Sequence, residues 1–322
     1  MTVHEIFPGP ETVHWGHLGA HLEPVIEIDP GEIVTLHSVS GGSSEVPSDP
    51  RLTVRPELRA IHRTLAPRPG PHILTGPVYV RGARPGDILR VEILDIALRD
   101  DWGFNIMKPG KGALPDDFSE PQLLHLAIDR EKLRIRTPWG LDIAARPFFG
   151  VMAAAPRAAD GSITSVIPGY FGGNIDNKEL VAGSVLYLPV SIEGALFSAG
   201  DGHASQGDGE VCLTAVETGL TGSFRLDVLS GEALDGPYAE TPTHLIAMGF
   251  DESLEEAMRA ALRAAIRMIV RRSGLTEAEA YSLCSMAADV RITQVVNVKQ
   301  GAHVMIPKYL LNANRQQEEA IR

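Results

Sequence analysis

The sequence predicts a β-rich α+β fold: an antiparallel β-sandwich or jelly-roll-like scaffold, followed by a C-terminal α/β part that contains a helical hairpin. Three observations carry this expectation. Apolar and polar residues alternate with period two through about residue 230. Each alternating run follows a turn built around glycine. After Met248 the apolar spacing switches to the helical period. A chain of 322 residues can bury one large core or two modest ones. The expected division is a β-rich domain over 1–230 that carries the site loops, with 231–322 packed on it.

Taken in order, "PVIEIDPGEIVTLHSVS" (24–40), "GPVYVRGARPGDILRVEILDI" (76–96) and "KELVAGSVLYLPVSI" (178–192) share one arrangement. Each has a short segment, then a turn at Pro30-Gly31-Glu32, Pro85-Gly86-Asp87 or Ala182-Gly183-Ser184, then an alternating strand. Their irregular spacing argues against a solenoid. Pro189 suits an edge strand or a strand end. The Pro/Gly-rich stretches 41–72, 102–121 and 154–175 read as long connections, which are either functional loops or surface excursions. Beyond Met248, "SLEEAMRAALRAAIRMIVRRSG" places Leu254, Ala257, Met258, Ala261, Ala265 and Ile269 on one helical face. Ser253 and Glu256 stand at capping-box spacing, and Gly274 stands where a C-cap belongs. "TEAEAYSLCSMAADV" repeats that logic from Thr276 and Glu279, and "VRITQVVNV" (290–298) returns to strand.

Composition narrows the function. Hydrophobic residues make up 44% of the chain and charged residues 22%, values ordinary for a globular protein. The net charge of −12 disfavours nucleic acid, whose phosphates reward basic partners. No apolar run is long enough to span a bilayer, and "MTVHEIFPGPETVHWG" lacks the pattern of a signal peptide. Cys212 and Cys284 are too few for a disulfide framework, which fits a reducing compartment. The expectation is a cytoplasmic protein without nucleic-acid or membrane partners.

The segment "GDGHASQGDGE" (200–210) concentrates Asp201, His203, Gln206, Asp208 and Glu210 on a glycine-rich backbone. It follows "LYLPVSIEGALFSA", so a strand is expected to deliver it to a sheet edge. Asp201 and His203, two apart, would share one face of a strand or reach one ion in a turn, and Glu210 could close the site or act as a base. The segment is not an EF-hand: counting from Asp201, the sixth position is Gln206 and the twelfth Cys212. It contains neither HExxH nor CxxC. A plain polar hairpin is the alternative. Two further Gly/Pro-rich stretches weigh toward a ligand site: "GYFGGNIDNKEL" offers Asn174 and Asp176, and "AIHRTLAPRPGPHILTGPV" offers His62 and His72. Phe148, Phe149, Tyr170 and Phe171 are core residues or pocket walls. Cys212 and Cys284 read as small buried hydrophobes, and no serine sits in a GxSxG elbow.

Together "GPVYVRGARPGDILRVEILDI", "PFFGVMAAAP", "GGNIDNKELVAGSVLYLPVSIEGALFSAGDGHASQGDGEV" and "AYSLCSMAADVRITQVVN" resemble the acetamidase/formamidase family, in order from about Pro24 to Pro307. The resemblance implies hydrolysis of a small amide to carboxylate and ammonia. It also implies a β-rich fold, a homodimer, and a divalent metal, zinc with or without calcium. Asn174 and Asp176 match the family's GGNxD, Asp201 and His203 its GDxH, and Glu210 its GDGE. His72 stands before the matching TGP, where some relatives carry Asn.

On this reading Asp201, His203, Asp176 and His72 are metal ligands and Glu210 moves the proton, with Asp201 part of the catalytic pair. Asn174, His62 and Phe149 lie around the substrate. A small amide implies a tight pocket. The competing readings are a cysteine-dependent amidohydrolase using Cys284 or Cys212, and a β-sandwich that binds a metal or small ligand without turnover.

Overall fold

The computed structural model describes residues 2–66, 69–231 and 234–312. Among these the chain is β-rich, with two large open sheets and three α-helices: α1 (Pro56–Thr64), α2 (Leu254–Ser273) and α3 (Glu277–Ala287). Alternation sets which residues meet between the sheets. In Leu220–Leu229, Leu220, Phe224 and Leu226 turn inward and are fully buried. From the other sheet Phe149 and Phe197 meet Phe224 edge to face, with ring centroids 5.4 and 5.6 Å apart. One continuous apolar cluster therefore joins the two sheets.

The nine-stranded sheet runs Val3–Ile6, Ile33–His37, Leu220–Leu229, Ile88–Leu98, Val185–Pro189, Tyr238–Glu240, His244–Asp251, Gln300–Pro307, Asp289–Gln294. It passes unbroken across residue 230, because Val185–Pro189 pairs with Tyr238–Glu240. The sheets are mixed rather than purely antiparallel. Val3–Ile6 runs parallel to Ile33–His37, and Ile26–Ile28 parallel to Ile73–Val80.

α2 begins where Ser253 accepts from the Glu256 N–H and ends at Gly274, whose φ of 74° is a left-handed conformation that glycine takes without strain. Its Ala257, Ala261, Ala265 and Ile269 face the sheet. The helix lies close to the strands at Gly249, where a Cβ would stand 2.2 Å from the Ala257 carbonyl oxygen. Thr276 and Glu279 form a complete capping box on α3.

Three expectations about connections change. The stretch 41–72 contains α1, opened by Pro56 and anchored by buried Leu58 and Ile61. The stretch 102–121 opens with the strand Trp102–Met107, and 154–175 holds the strands Ser162–Thr164 and Gly172–Asn174. Each element is short and flanked by Pro or Gly, so its period is hidden among turn residues.

The strand Phe197–His203 is not at a sheet edge. It lies inside the eleven-stranded sheet, between Phe148–Ala153 on one side and Ile73–Val80 and Glu217–Thr218 on the other, and all seven of its residues are buried. Its glycines answer a steric demand rather than supplying flexibility. A Cβ on Gly200 would stand 2.4 Å from the Ile73 carbonyl oxygen, and one on Gly202 2.4 Å from that of Thr218.

Candidate metal centre and cavity

Asp201 and His203 of Phe197–His203 bring their side chains together, and strand pairing brings more donors to them. His203 lies opposite Glu217 in the neighbouring strand. Asp176 follows the short strand Gly172–Asn174, which pairs with Phe148–Ala153, and its N–H donates to the Gly150 carbonyl at 3.1 Å. His203 Nε2 then lies 3.3 Å from Glu217 Oε1, 3.4 Å from Asp201 Oδ2 and 3.8 Å from Asp176 Oδ1. His72 Nε2 approaches Asp201 Oδ2 from the other side at 3.7 Å. Asp176, Asp201, His203, Glu210 and Glu217 are all buried. Two triads, Asp176–His203–Glu210 and Asp201–His203–Glu217, each hold their donor atoms within 4.8 Å of one another.

The hydrogen bonds around the imidazoles fix what they present. Gln206 Nε2 donates to the Asp176 carbonyl at 2.8 Å, so its Oε1 faces His203 Nδ1 at 2.9 Å as an acceptor. The Nδ1 proton is thereby held, and Nε2 is left toward the carboxylates. His72 Nδ1 is held the same way by the Ser165 carbonyl at 3.1 Å and its Oγ at 2.9 Å. A neutral imidazole would aim a lone pair at anionic oxygens. A proton on Nε2, a proton on a facing carboxyl, or a cation between the groups makes the arrangement favourable.

Protonation follows the same logic. Burial pushes Glu210, Glu217 and Asp176 above the usual carboxylate range, and repulsion from Asp201 adds to the effect on all three. For Asp201 burial acts in the same upward direction, but the His72 and His203 imidazoles outweigh it and hold the carboxyl low. Burial opposes charge on His203, yet Glu217 and Asp201 drive it well above its ordinary value.

Three features fit a cation. Asp176 Oδ1, Glu210 Oε2 and Asn174 Oδ1 are buried and have no hydrogen-bond partner among the described residues. Gly150 leaves a hollow at the centre: a Cβ there would sit 2.4 Å from Asp176 Oδ1, 2.6 Å from Asp201 Oδ2 and 2.8 Å from His203 Cε1. The donors are carboxylates and imidazoles, the mixed oxygen and nitrogen set that divalent ions take. The site is also strained, since Asp176, Asp201 and Glu210 hold φ of 50°, 57° and 47°. Left-handed backbone at three neighbouring acidic residues costs free energy that surrounding structure must offset, and such residues cluster at functional sites.

A cavity of about 300 Å³ opens onto these groups. His72, Asn174, Asp201, Glu210, Glu217 and Asn297 line its polar wall, while Asp176 and His203 lie behind it. Asn297 reaches in from the far side of the chain, donating through Nδ2 to Asp176 Oδ2 and to the Asn174 carbonyl.

Other residues singled out in the sequence lie elsewhere. His62, on α1, stacks on Trp15 and bonds the Gly41 carbonyl at 3.0 Å, away from the carboxylates. Phe149 is fully buried against Phe224 between the sheets. The alternation of its strand turns the neighbouring Phe148 toward His203 instead, with ring centroids 5.0 Å apart. Cys284 packs in the core cluster around α2, and burial raises its thiol pKa. Cys212 receives a hydrogen bond from Asn105 Nδ2 at 3.2 Å, and neither thiol lines the cavity.

Sequence reading passed over Glu217, Asn297 and Gly150, and gave Gln206 no role. Only strand pairing or long-range packing brings Glu217 and Asn297 to the site. Gly150, in "PFFGVM", carried a usable signal, because an isolated glycine in a strand pattern marks a close approach.

The chain is similar to known proteins in sequence and in structure. In sequence it is 32% identical over 217 residues to a formamidase of Methylophilus methylotrophus, covering 51% of this chain and 52% of that protein. It is 30% identical over 220 residues to an acetamidase of Mycolicibacterium smegmatis, covering 50% and 54%. The chain thus spans about half the length of the relatives it matches in sequence. Among solved structures, an acetamidase of Bacillus halodurans superposes with a TM-score of 0.83 at 28% identity, over 96% of this chain and 99% of that one. An acetamidase of Yersinia enterocolitica does so with a TM-score of 0.83 at 27% identity, over 96% and 93%. The model of the acetamidase/formamidase family matches residues 19–160 and 157–312, nearly the whole of the sequence. With the GGNxD and GDxH residues standing together around one hollow, the chain belongs to the acetamidase/formamidase family.

Proposed function

We propose that the chain hydrolyses a small carboxamide, of the formamide or acetamide kind, to carboxylate and ammonia, with a divalent cation held among Asp176, Asp201, His203, Glu217 and His72. The observation that carries this reading is the convergence of three buried carboxylates within 3.3–3.8 Å of His203 Nε2, with a cavity beside them. The names of its relatives support the amide as substrate. Two imidazoles among the donors favour a zinc-like ion over calcium, which prefers oxygen alone.

Bound there, the cation supplies a Lewis acid at the edge of the cavity. The chain's own residues supply the rest. Glu210 lines the cavity with Oε2 unpartnered, placed to take a proton from the attacking water and return it to the departing nitrogen. Asn174 Oδ1, also unpartnered and on the cavity wall, is an acceptor for the substrate NH₂. Gln206 keeps His203 in one tautomer and Ser165 does the same for His72. In balance, the water oxygen joins the carbonyl carbon, the C–N bond breaks, and nitrogen leaves as ammonia with the proton that Glu210 carried. The two free thiols suit a reducing cytoplasm, where the proposed form is a homodimer.

The test is metal quantification on the purified protein together with ammonia release from formamide and acetamide, with and without chelator. Release that stops on chelation and returns with zinc is expected. Unchanged release from fully stripped protein would remove the metal from the reading, and no release from metal-loaded protein would remove the hydrolase.

A further inference from the structure

We infer that the amide taken by this cavity carries an extended, neutral, apolar acyl group, a straight chain or a ring well beyond acetyl; this rests on the amidase reading above. Size is the first argument. The cavity holds about 300 Å³, whereas formamide is hardly larger than a couple of waters at roughly 30 Å³ each. A site for formamide alone would leave most of that space to solvent, and specificity for so small a molecule requires a close fit.

The second argument is the lining. Away from the carboxylates the walls are Ile73, Phe104, Ile106, Leu213, Val296 and Val298. The other charged groups in the lining are half-buried Glu45 and the exposed Lys108 and Lys111. The cavity thus combines a cluster of carboxylates and amides with a largely apolar remainder, in which Ser40 and Thr214 are the hydroxyl-bearing exceptions. That combination suits a molecule with one amide head and an apolar body.

Backbone strain supplies the third argument, independent of the other two. Leu213 and Val298 hold φ of 123° and 64°. Positive φ is an outlier for a bulky or β-branched side chain. Of the eight non-glycine residues with positive φ among the described residues, four line this cavity, Asp201 and Glu210 among its acids and Leu213 and Val298 among its apolar residues, and a fifth, Asp176, lies behind it. The strain therefore holds apolar side chains at the cavity as well as donors around the hollow. Val298 is also 63% exposed, so its side chain is not fixed by deep burial in the core.

Ammonia release from formamide, acetamide, hexanamide and phenylacetamide, by wild-type protein and Val298→Gly, tests the inference. Wild-type kcat/KM is expected to rise by about tenfold or more from acetamide to hexanamide or phenylacetamide, the scale of one well-placed methylene in an apolar pocket. Val298→Gly should lower that preference by about tenfold. Its Tm should hold or rise, because glycine takes the same φ without strain. Formamide or acetamide as the best substrate, or an unchanged preference in the variant, overturns the inference while leaving the amidase standing. A stronger preference for succinamate, run beside them as a carboxylate-bearing amide within reach of Lys108 and Lys111, overturns its neutral character. Silence on every one of these amides removes the amidase reading and this inference with it.

Discussion

Replacing Gly150 by alanine adds one methyl at the centre of the proposed metal centre. The new Cβ would stand 2.4 Å from Asp176 Oδ1, 2.6 Å from Asp201 Oδ2 and 2.8 Å from His203 Cε1, where ordinary contact begins at 3.4 Å. Asp176 Oδ1 would have to retreat by 3.4 − 2.4 = 1.0 Å, and Asp201 Oδ2 by 3.4 − 2.6 = 0.8 Å. Metal ligands tolerate displacements of about 0.2 Å, and an error of about 1 Å at a reacting centre costs on the order of 100-fold. Overpacking a buried strand costs a further ~1–3 kcal/mol of stability. The expected result is loss of most bound metal and a fall of about 100-fold in ammonia release, with circular dichroism unchanged and Tm lowered by only a few degrees. Metal content and kcat/KM within threefold of wild type would refute the argument that donors converge on this hollow.

Glu210→Gln keeps the shape of the side chain but removes its base. Metal content is expected to persist while kcat falls by about 100-fold or more, and equal turnover in the variant would exclude Glu210 as the proton carrier. The double variant Cys212→Ser/Cys284→Ser should release ammonia at the wild-type rate, since neither thiol lines the cavity; abolished activity with metal retained would revive the cysteine mechanism. His14 is buried between the His17 carbonyl, 2.6 Å from Nδ1, and Ser198 Oγ, 2.9 Å from Nε2. Burial pushes its pKa from 6.5 down to about 4. Between those values the unfolded chain binds a proton that the folded one does not, so stability falls as pH drops through that window, by up to ~3 kcal/mol. Urea unfolding from neutral pH to about pH 4 should show a shallower loss in His14→Gln, and identical slopes would mean that His14 does not titrate on unfolding.

Much of this protein was legible along the chain. Period two marked Ile88–Leu98 and Val185–Pro189, and the capping residues Ser253, Gly274 and Thr276 marked both long helices, because these are contests between near neighbours. Asp176, Asp201, His203 and Glu210 stand out along the chain as candidate donors because each stands in a glycine-rich motif with recognisable spacing. Short elements such as α1 were lost because three or four apolar residues among prolines carry too little periodicity to outweigh the turn signals around them.

Local order in the sequence determined the strands, the caps and the chemical character of the donors. Tertiary structure alone decided that Phe197–His203 is a central strand, that Glu217 and Asn297 join residues far from them in the chain, and that Phe148 rather than Phe149 faces His203. The physical reason is register. A one-residue shift in pairing reverses which side chains face inward, and register is set by packing across both sheets rather than by any segment alone.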